Sequence, residues 1–127
     1  MFKGIEHVEL VSSNMDRTLK FYTEILGFTI QFRRKTDRQP MEEIAFIELG
    51  GTLIEVLGVN APAPVSTQQW QNGWRRIAIE VEDMDKAIAY LNEKGVKVSQ
   101  EPVVTETSVM SEIKDTDGIA IQLIQRK

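Results

Sequence analysis

The sequence predicts an α+β fold of two tandem βαβββ modules, and three observations predict it. Residues 4–28 (GIEHVELVSSNMDRTLKFYTEILGF) and 73–96 (GWRRIAIEVEDMDKAIAYLNEKGV) are two versions of one segment. Gly4 meets Gly73, Val8 meets Ile77, Asp16 meets Asp85, and Gly27 meets Gly95 after a slip of one residue. The closing segments also match, Gly51-Thr-Leu-Ile-Glu55-Val-Leu against Gly118-Ile-Ala-Ile-Gln122-Leu-Ile. Within each copy the apolar period changes from two residues to a helical stripe and back to two, and a repeat of this length is a structural unit. The matched polar positions differ: His7 faces Arg76, and Glu55 faces Gln122.

Ile5 to Val11 alternates, with Ile5, His7, Glu9 and Val11 on one face and Glu6, Val8 and Leu10 on the other, as a strand does. Ser12, Ser13 and Asn14 are N-cap residues. The stripe Met15, Leu19, Tyr22, Ile25 and Leu26 predicts an amphipathic helix that Gly27 ends. Phe28, Ile30 and Phe32 begin the next strand, and Ile44 to Leu49 and Thr52 to Leu57 form a hairpin through Gly50-Gly51. In the second copy Arg75 to Val81 is a strand, and Asp83 caps a helix with the stripe Met84, Ala87, Ile88 and Leu91, stopped by Gly95. Val96 to Val98, Ser108 to Lys114 and Ile119 to Ile124 are the remaining strands, while Gln100 to Thr107 shows no period. Gly58 to Asn72, with Ala-Pro-Ala-Pro, resists helix and sheet. The modules are therefore residues 1–58 and 73–127, joined by the linker 59–72, and one domain spans 1–127. Trp70 and Trp74 are read as covers for the seam between the copies, and the basic run Arg33 to Arg38 as a solvated strand end.

Composition narrows the function. At 127 residues, 42% hydrophobic and 27% charged, the chain suits an ordinary globular domain. A net charge of −4 speaks against nucleic acid as a partner. No apolar run reaches the roughly 20 residues a bilayer span needs, and no leader is expected, so the expected compartment is the cytoplasm. With no cysteine and one histidine, disulfides, thiolate metal sites and two-histidine schemes within one chain are excluded.

Ile5-Glu-His7-Val-Glu-Leu, Phe21-Tyr-Thr-Glu-Ile-Leu-Gly27-Phe, Gly51-Thr-Leu-Ile-Glu55-Val, Arg76-Ile-Ala-Ile-Glu-Val-Glu-Asp83 and Asp115-Thr-Asp-Gly118-Ile-Ala-Ile-Gln122-Leu together resemble the vicinal oxygen chelate superfamily. That superfamily includes glyoxalase I, bleomycin-resistance proteins, fosfomycin-resistance enzymes and extradiol dioxygenases. The resemblance implies modules curled around a cavity and a homodimer. It also implies four metal-ligand positions, which fall here on His7, Glu55, Arg76 and Gln122. Arg76 stands where histidine is usual and Gln122 where glutamate is usual. A guanidinium has no lone pair for a cation, and an amide has no useful acid–base chemistry near neutral pH.

The expected function is binding of a small molecule, anionic or aromatic, in the cavity without metal. His7, Glu55, Arg76, Gln122, Glu9 and Trp74 are the candidate cavity residues, and Arg76 is the expected partner of Glu55. The alternative is a glyoxalase-type lyase or isomerase, with Glu55 as candidate catalytic residue and His7, Glu55 and Gln122 holding nickel, zinc, cobalt, manganese or iron. Glu9 lies one pleat from His7, with α-carbons roughly 6.5–7 Å apart. Phe32, Met41 and Phe46 suit a pocket lining or the core, and the core is the commoner place for them.

Overall fold

Each copy of the repeat folds as strand, helix, then three strands. The computed structural model describes residues 1–127, and the chain divides into two compact units, Met1–Pro64 and Val65–Lys127. The division falls inside the proline-rich segment.

The first unit runs β1 (Val8–Ser12), α1 (Met15–Lys20) continuing as a π-helical turn (Phe21–Ile25), β2 (Thr29–Lys35), β3 (Met41–Leu49) and β4 (Thr52–Val59). Its sheet has the order β1-β4-β3-β2, with β1 and β4 parallel and the other pairs antiparallel. The Asn14 side chain accepts from the Arg17 N–H and so caps α1. The predicted single helix instead widens over its second half. Leu26 N–H bonds to the Phe21 carbonyl at 3.3 Å, five residues back, and Gly27 then leaves the helix at φ +84°. Ala45, Ile47, Ile54 and Val56 form the buried side of the sheet, which Met15, Leu19, Phe21 and Tyr22 help to cover. Gly58 is the point of closest approach: a Cβ there would meet Met15 Cγ at 2.6 Å.

The second unit runs β5 (Ile77–Glu80), α2 (Met84–Glu93), β6 (Gln100–Val104), β7 (Ser108–Lys114) and β8 (Ala120–Arg126), in the sheet order β5-β8-β7-β6. Asp83 caps α2 by accepting from Lys86 N–H at 3.0 Å. Replacing Asp83 with alanine is expected to lower stability by about 1 kcal/mol, which urea unfolding will read as a lower midpoint at unchanged slope.

One strand moved. Val96–Val98, expected as a strand, is irregular, because Val96 N–H is spent on the Leu91 carbonyl (2.8 Å) and Gly95 N–H on the Asn92 carbonyl (3.0 Å). This is the double bond that closes a helix at a left-handed glycine. The strand forms instead at Gln100–Val104, where Pro102 is tolerated because β6 is an edge strand with a register shift between Gln100 and Val103.

Candidate functional site

The register carries one row of side chains across the first sheet. Glu9 on β1 pairs with Glu55 on β4, Glu55 with Phe46 on β3, and Phe46 with Phe32 on β2. Cross-strand partners point to the same face, and this is the face opposite Ile47, Ile54 and Val56. His7 lies just before β1 and joins the row. Its ring meets Phe46 edge-on with centroids 5.2 Å apart, and Phe46 stacks on Phe32 at 5.0 Å and 29°. Phe32 is 44% exposed and Phe46 half-buried, so neither belongs to the core assigned to them from sequence. Met41 is half-buried at the far end of β3.

The ligand atoms of His7, Glu9 and Glu55 all lie within 4.8 Å of one another, with His7 Nε2 3.9 Å from Glu9 Oε1. His7 Nδ1 is hydrogen-bonded to the Glu6 carboxylate. That bond raises the imidazole pKa above its ordinary value; desolvation opposes the shift, and the charges of Glu6, Glu55 and Glu9 add to it. Glu6 was assigned no role from sequence. Its neighbouring position is the signal, although strand alternation sends it to the opposite face.

The second sheet repeats the geometry with different chemistry. Ala78 pairs with Gln122 and Gln122 with Glu112. Arg76, half-buried just before β5, makes an ion pair with Glu112, whose other oxygen accepts from Ser99 Oγ at 2.7 Å. Arg76 thus has a carboxylate partner inside its own unit. Glu112, the cross-strand neighbour of Gln122, satisfies the guanidinium locally. Gln122 Nε2 contacts Met110 Sδ at 3.5 Å. Sequence reading missed Glu112 because locating it requires the length of the β7–β8 turn. That turn is built on Asp115, whose Oδ1 accepts from the Asp117 and Ile119 N–H groups at 2.9 Å.

Burial pushes the Glu112 carboxyl up, but the hydrogen bonds from Ser99 and Arg76 and the charges of Arg76 and Arg75 outweigh it. The net shift is below the ordinary value of 4.5. A depressed folded-state pKa stabilises the protein above the unfolded-state value, and that contribution is lost as pH falls through the folded-state value. Glu112→Gln should therefore flatten the fall in melting temperature below about pH 4.5, and wild type and variant should converge under acid.

Trp74 and Trp70 are exposed, and Trp70 carries Arg75 over its ring at 4.5 Å. Of the basic run, Arg33 is held by Glu43 and Asp16 at 2.7 and 2.8 Å beside a polar groove of about 150 Å³.

The four family ligand positions do not fit a cation as a set. Arg76 offers no lone pair, and Glu112 already engages it. His7 and Glu55 do fit, and the structure adds Glu9 to them.

The chain matches the Glyoxalase/Bleomycin resistance protein/Dioxygenase superfamily over residues 4–123. A lactoylglutathione lyase of Neisseria meningitidis serogroup B is 30% identical over 124 residues, which cover 95% of this chain and 89% of that protein. A lactoylglutathione lyase of Arabidopsis thaliana is 32% identical over 123 residues, 94% of this chain and 43% of its own length. The chain thus spans less than half of that plant relative. The crystal structure of a glyoxalase family protein from Enterococcus faecalis superposes with a TM-score of 0.85 at 27% identity, covering 97% of this chain and 98% of that one. With two βαβββ modules and this match along nearly its whole length, the chain belongs to the glyoxalase/bleomycin resistance protein/dioxygenase superfamily.

Proposed function

We propose that this protein binds a small molecule with a planar aromatic portion on the open face of its first sheet, and that it does so without the four-position metal set of its superfamily. The carrying observation is the row Phe32–Phe46–His7 beside Glu9 and Glu55. It is a partly exposed aromatic platform ending in polar groups, the combination that small-molecule sites use for contact area and orientation. Arg76, the residue from which an anionic ligand was expected, is ion-paired with Glu112. Calorimetric screening of planar aromatic metabolites against wild type and Phe46→Ala tests the reading. Affinity should fall about tenfold in the variant. Equal affinity for both proteins, or no ligand for either, would overturn it.

A second reading is favoured by the lactoylglutathione lyases among the relatives. It makes the protein a lyase or isomerase with Glu55 as the proton-moving base and His7, Glu55 and Gln122 around the substrate. Formation or loss of lactoylglutathione, abolished by Glu55→Gln, is the result that would favour it.

Both readings take residues 1–127 as one functional domain with the cytoplasm as its expected compartment; no helix is long and apolar enough to cross a membrane. Both also carry the proposal of a homodimer. It rests on the superfamily and on the exposed apolar side chains Val8, Val11 and Ile30 of the first sheet. Sedimentation at micromolar concentration should return twice the chain's 14.5 kDa, and a monomer there contradicts the dimer.

A further inference from the structure

We infer that Asn72-Gly73 is a modification site of this chain, where the asparagine side chain closes on the next backbone nitrogen of the folded protein and is converted to aspartate and isoaspartate. The inference goes beyond the small-molecule reading and uses none of the residues on which that reading rests.

Of Asn14, Asn60, Asn72 and Asn92, only Asn72 is followed by glycine. Asparagine is among the chemically labile side chains. Ring closure asks for an amide free to turn toward the following nitrogen, and for a nitrogen free to meet it. Both conditions hold at this dipeptide. Asn72 and Gly73 are exposed and lie in the irregular stretch between β4 and β5. Neither residue is engaged in a hydrogen bond, so the reaction breaks none. Gly73, at φ +125°, has no Cβ to crowd the approach, and nothing lies within 4 Å of where one would stand.

The other asparagines are held. Asn14 Oδ1 accepts from the Arg17 N–H at 3.0 Å as the cap of α1. Asn60 donates its own N–H to the Pro40 carbonyl at 3.0 Å, and the next residue, Ala61, carries a Cβ. Asn92 lies inside α2, where the following N–H belongs to the helical ladder. The comparable dipeptide Asp117-Gly118 is also fixed, because Gly118 N–H bonds to the Asp115 carbonyl at 3.0 Å.

The chemistry balances with water as the only co-reactant. A solvent base takes the Gly73 amide proton, and the nitrogen attacks Asn72 Cγ. The N–Cγ bond forms, the Cγ–Nδ2 bond breaks, and ammonia leaves with a proton returned from solvent, closing a succinimide. Water then opens the ring. Cleavage of the N–Cγ bond gives aspartate, and cleavage between the nitrogen and the Asn72 backbone carbonyl carbon gives isoaspartate. Either product adds one negative charge to a net of −4. The new carboxylate stands close in sequence to Arg75, whose guanidinium lies over the Trp70 ring at 4.5 Å, and it competes with the ring for that cation. No strand or helix hydrogen bond passes through the dipeptide, so the product stays folded.

The test incubates the full chain at mildly alkaline and mildly acidic pH and follows each asparagine by peptide mapping, with chromatography separating isoaspartate from aspartate. Asn72 should exchange amide for acid with release of ammonia, faster at alkaline pH, while Asn14, Asn60 and Asn92 stay intact and the far-ultraviolet circular dichroism is unchanged. Asn72→Gln should abolish the acidic form. Gly73→Ala should slow its appearance by about tenfold or more, the effect of a modest steric addition to the barrier. An intact Asn72 in the native chain, an acidic form that arises only in urea, aspartate without isoaspartate, or Gly73→Ala reacting at the wild-type rate each overturns the inference.

Discussion

Replacing Arg76 with leucine is expected to cost about 3 kcal/mol, the lower end for breaking a buried ion pair. The Arg76 and Glu112 side chains are 13% and 14% exposed, closer to the buried than to the surface case. The loss comes mainly from the carboxylate left behind. Glu112 retains the Ser99 hydroxyl and the nearby charge of Arg75, which keeps the cost from rising further. Adding Glu112→Leu to Arg76→Leu should recover most of the loss, because removing both charges removes the desolvation penalty together with the attraction. Urea unfolding of the two single variants, the double variant and wild type checks this. A single-variant cost below about 1 kcal/mol means that the pair behaves as a solvated one.

Ile47→Ala is expected to cost about 3 kcal/mol, within the range for truncating a large buried aliphatic side chain. Ile47 is fully buried on β3, adjacent in sequence to Phe46 and pointing to the opposite face. Its cavity opens on the side covered by α1. The platform of Phe32 and Phe46 should keep its ligand affinity at temperatures where the variant remains folded. The result separates the two faces of one strand: stability on one side, recognition on the other. Loss of ligand affinity in parallel with stability would show that the platform depends on core packing.

Much of the fold was legible because its signals are local. Asn14 and Asp83 stand at the caps where Ser/Thr/Asn/Asp belong, Gly27 and Gly95 adopt the left-handed conformation that ends a helix, and Gly50-Gly51 turns a hairpin. Each depends on residues within one turn of chain. The errors fell where two local demands competed. Val96 was needed by the cap of α2 before it could begin a strand, and the edge strand at Gln100–Val104 has no apolar alternation from which to read it. The widened second half of α1 left no separate mark, since its apolar stripe satisfies the ordinary helical period as well.

The site divides along the same line. The sequence by itself determined the two-module architecture and the family, because repeats and caps are properties of residue types at known spacings. Only the tertiary structure decided which groups meet. The register of β1 on β4 set Glu9 against Glu55, and the register of β7 on β8 placed Glu112 within reach of Arg76. The β4–β3–β2 pairing lined up Phe46 and Phe32 beside His7. Alternation reports which face of a strand a residue occupies. Its neighbour across the ladder depends on turn length and bulges, where a shift of one residue reverses every partner, and so the charge balance of each sheet could be read only from the folded chain.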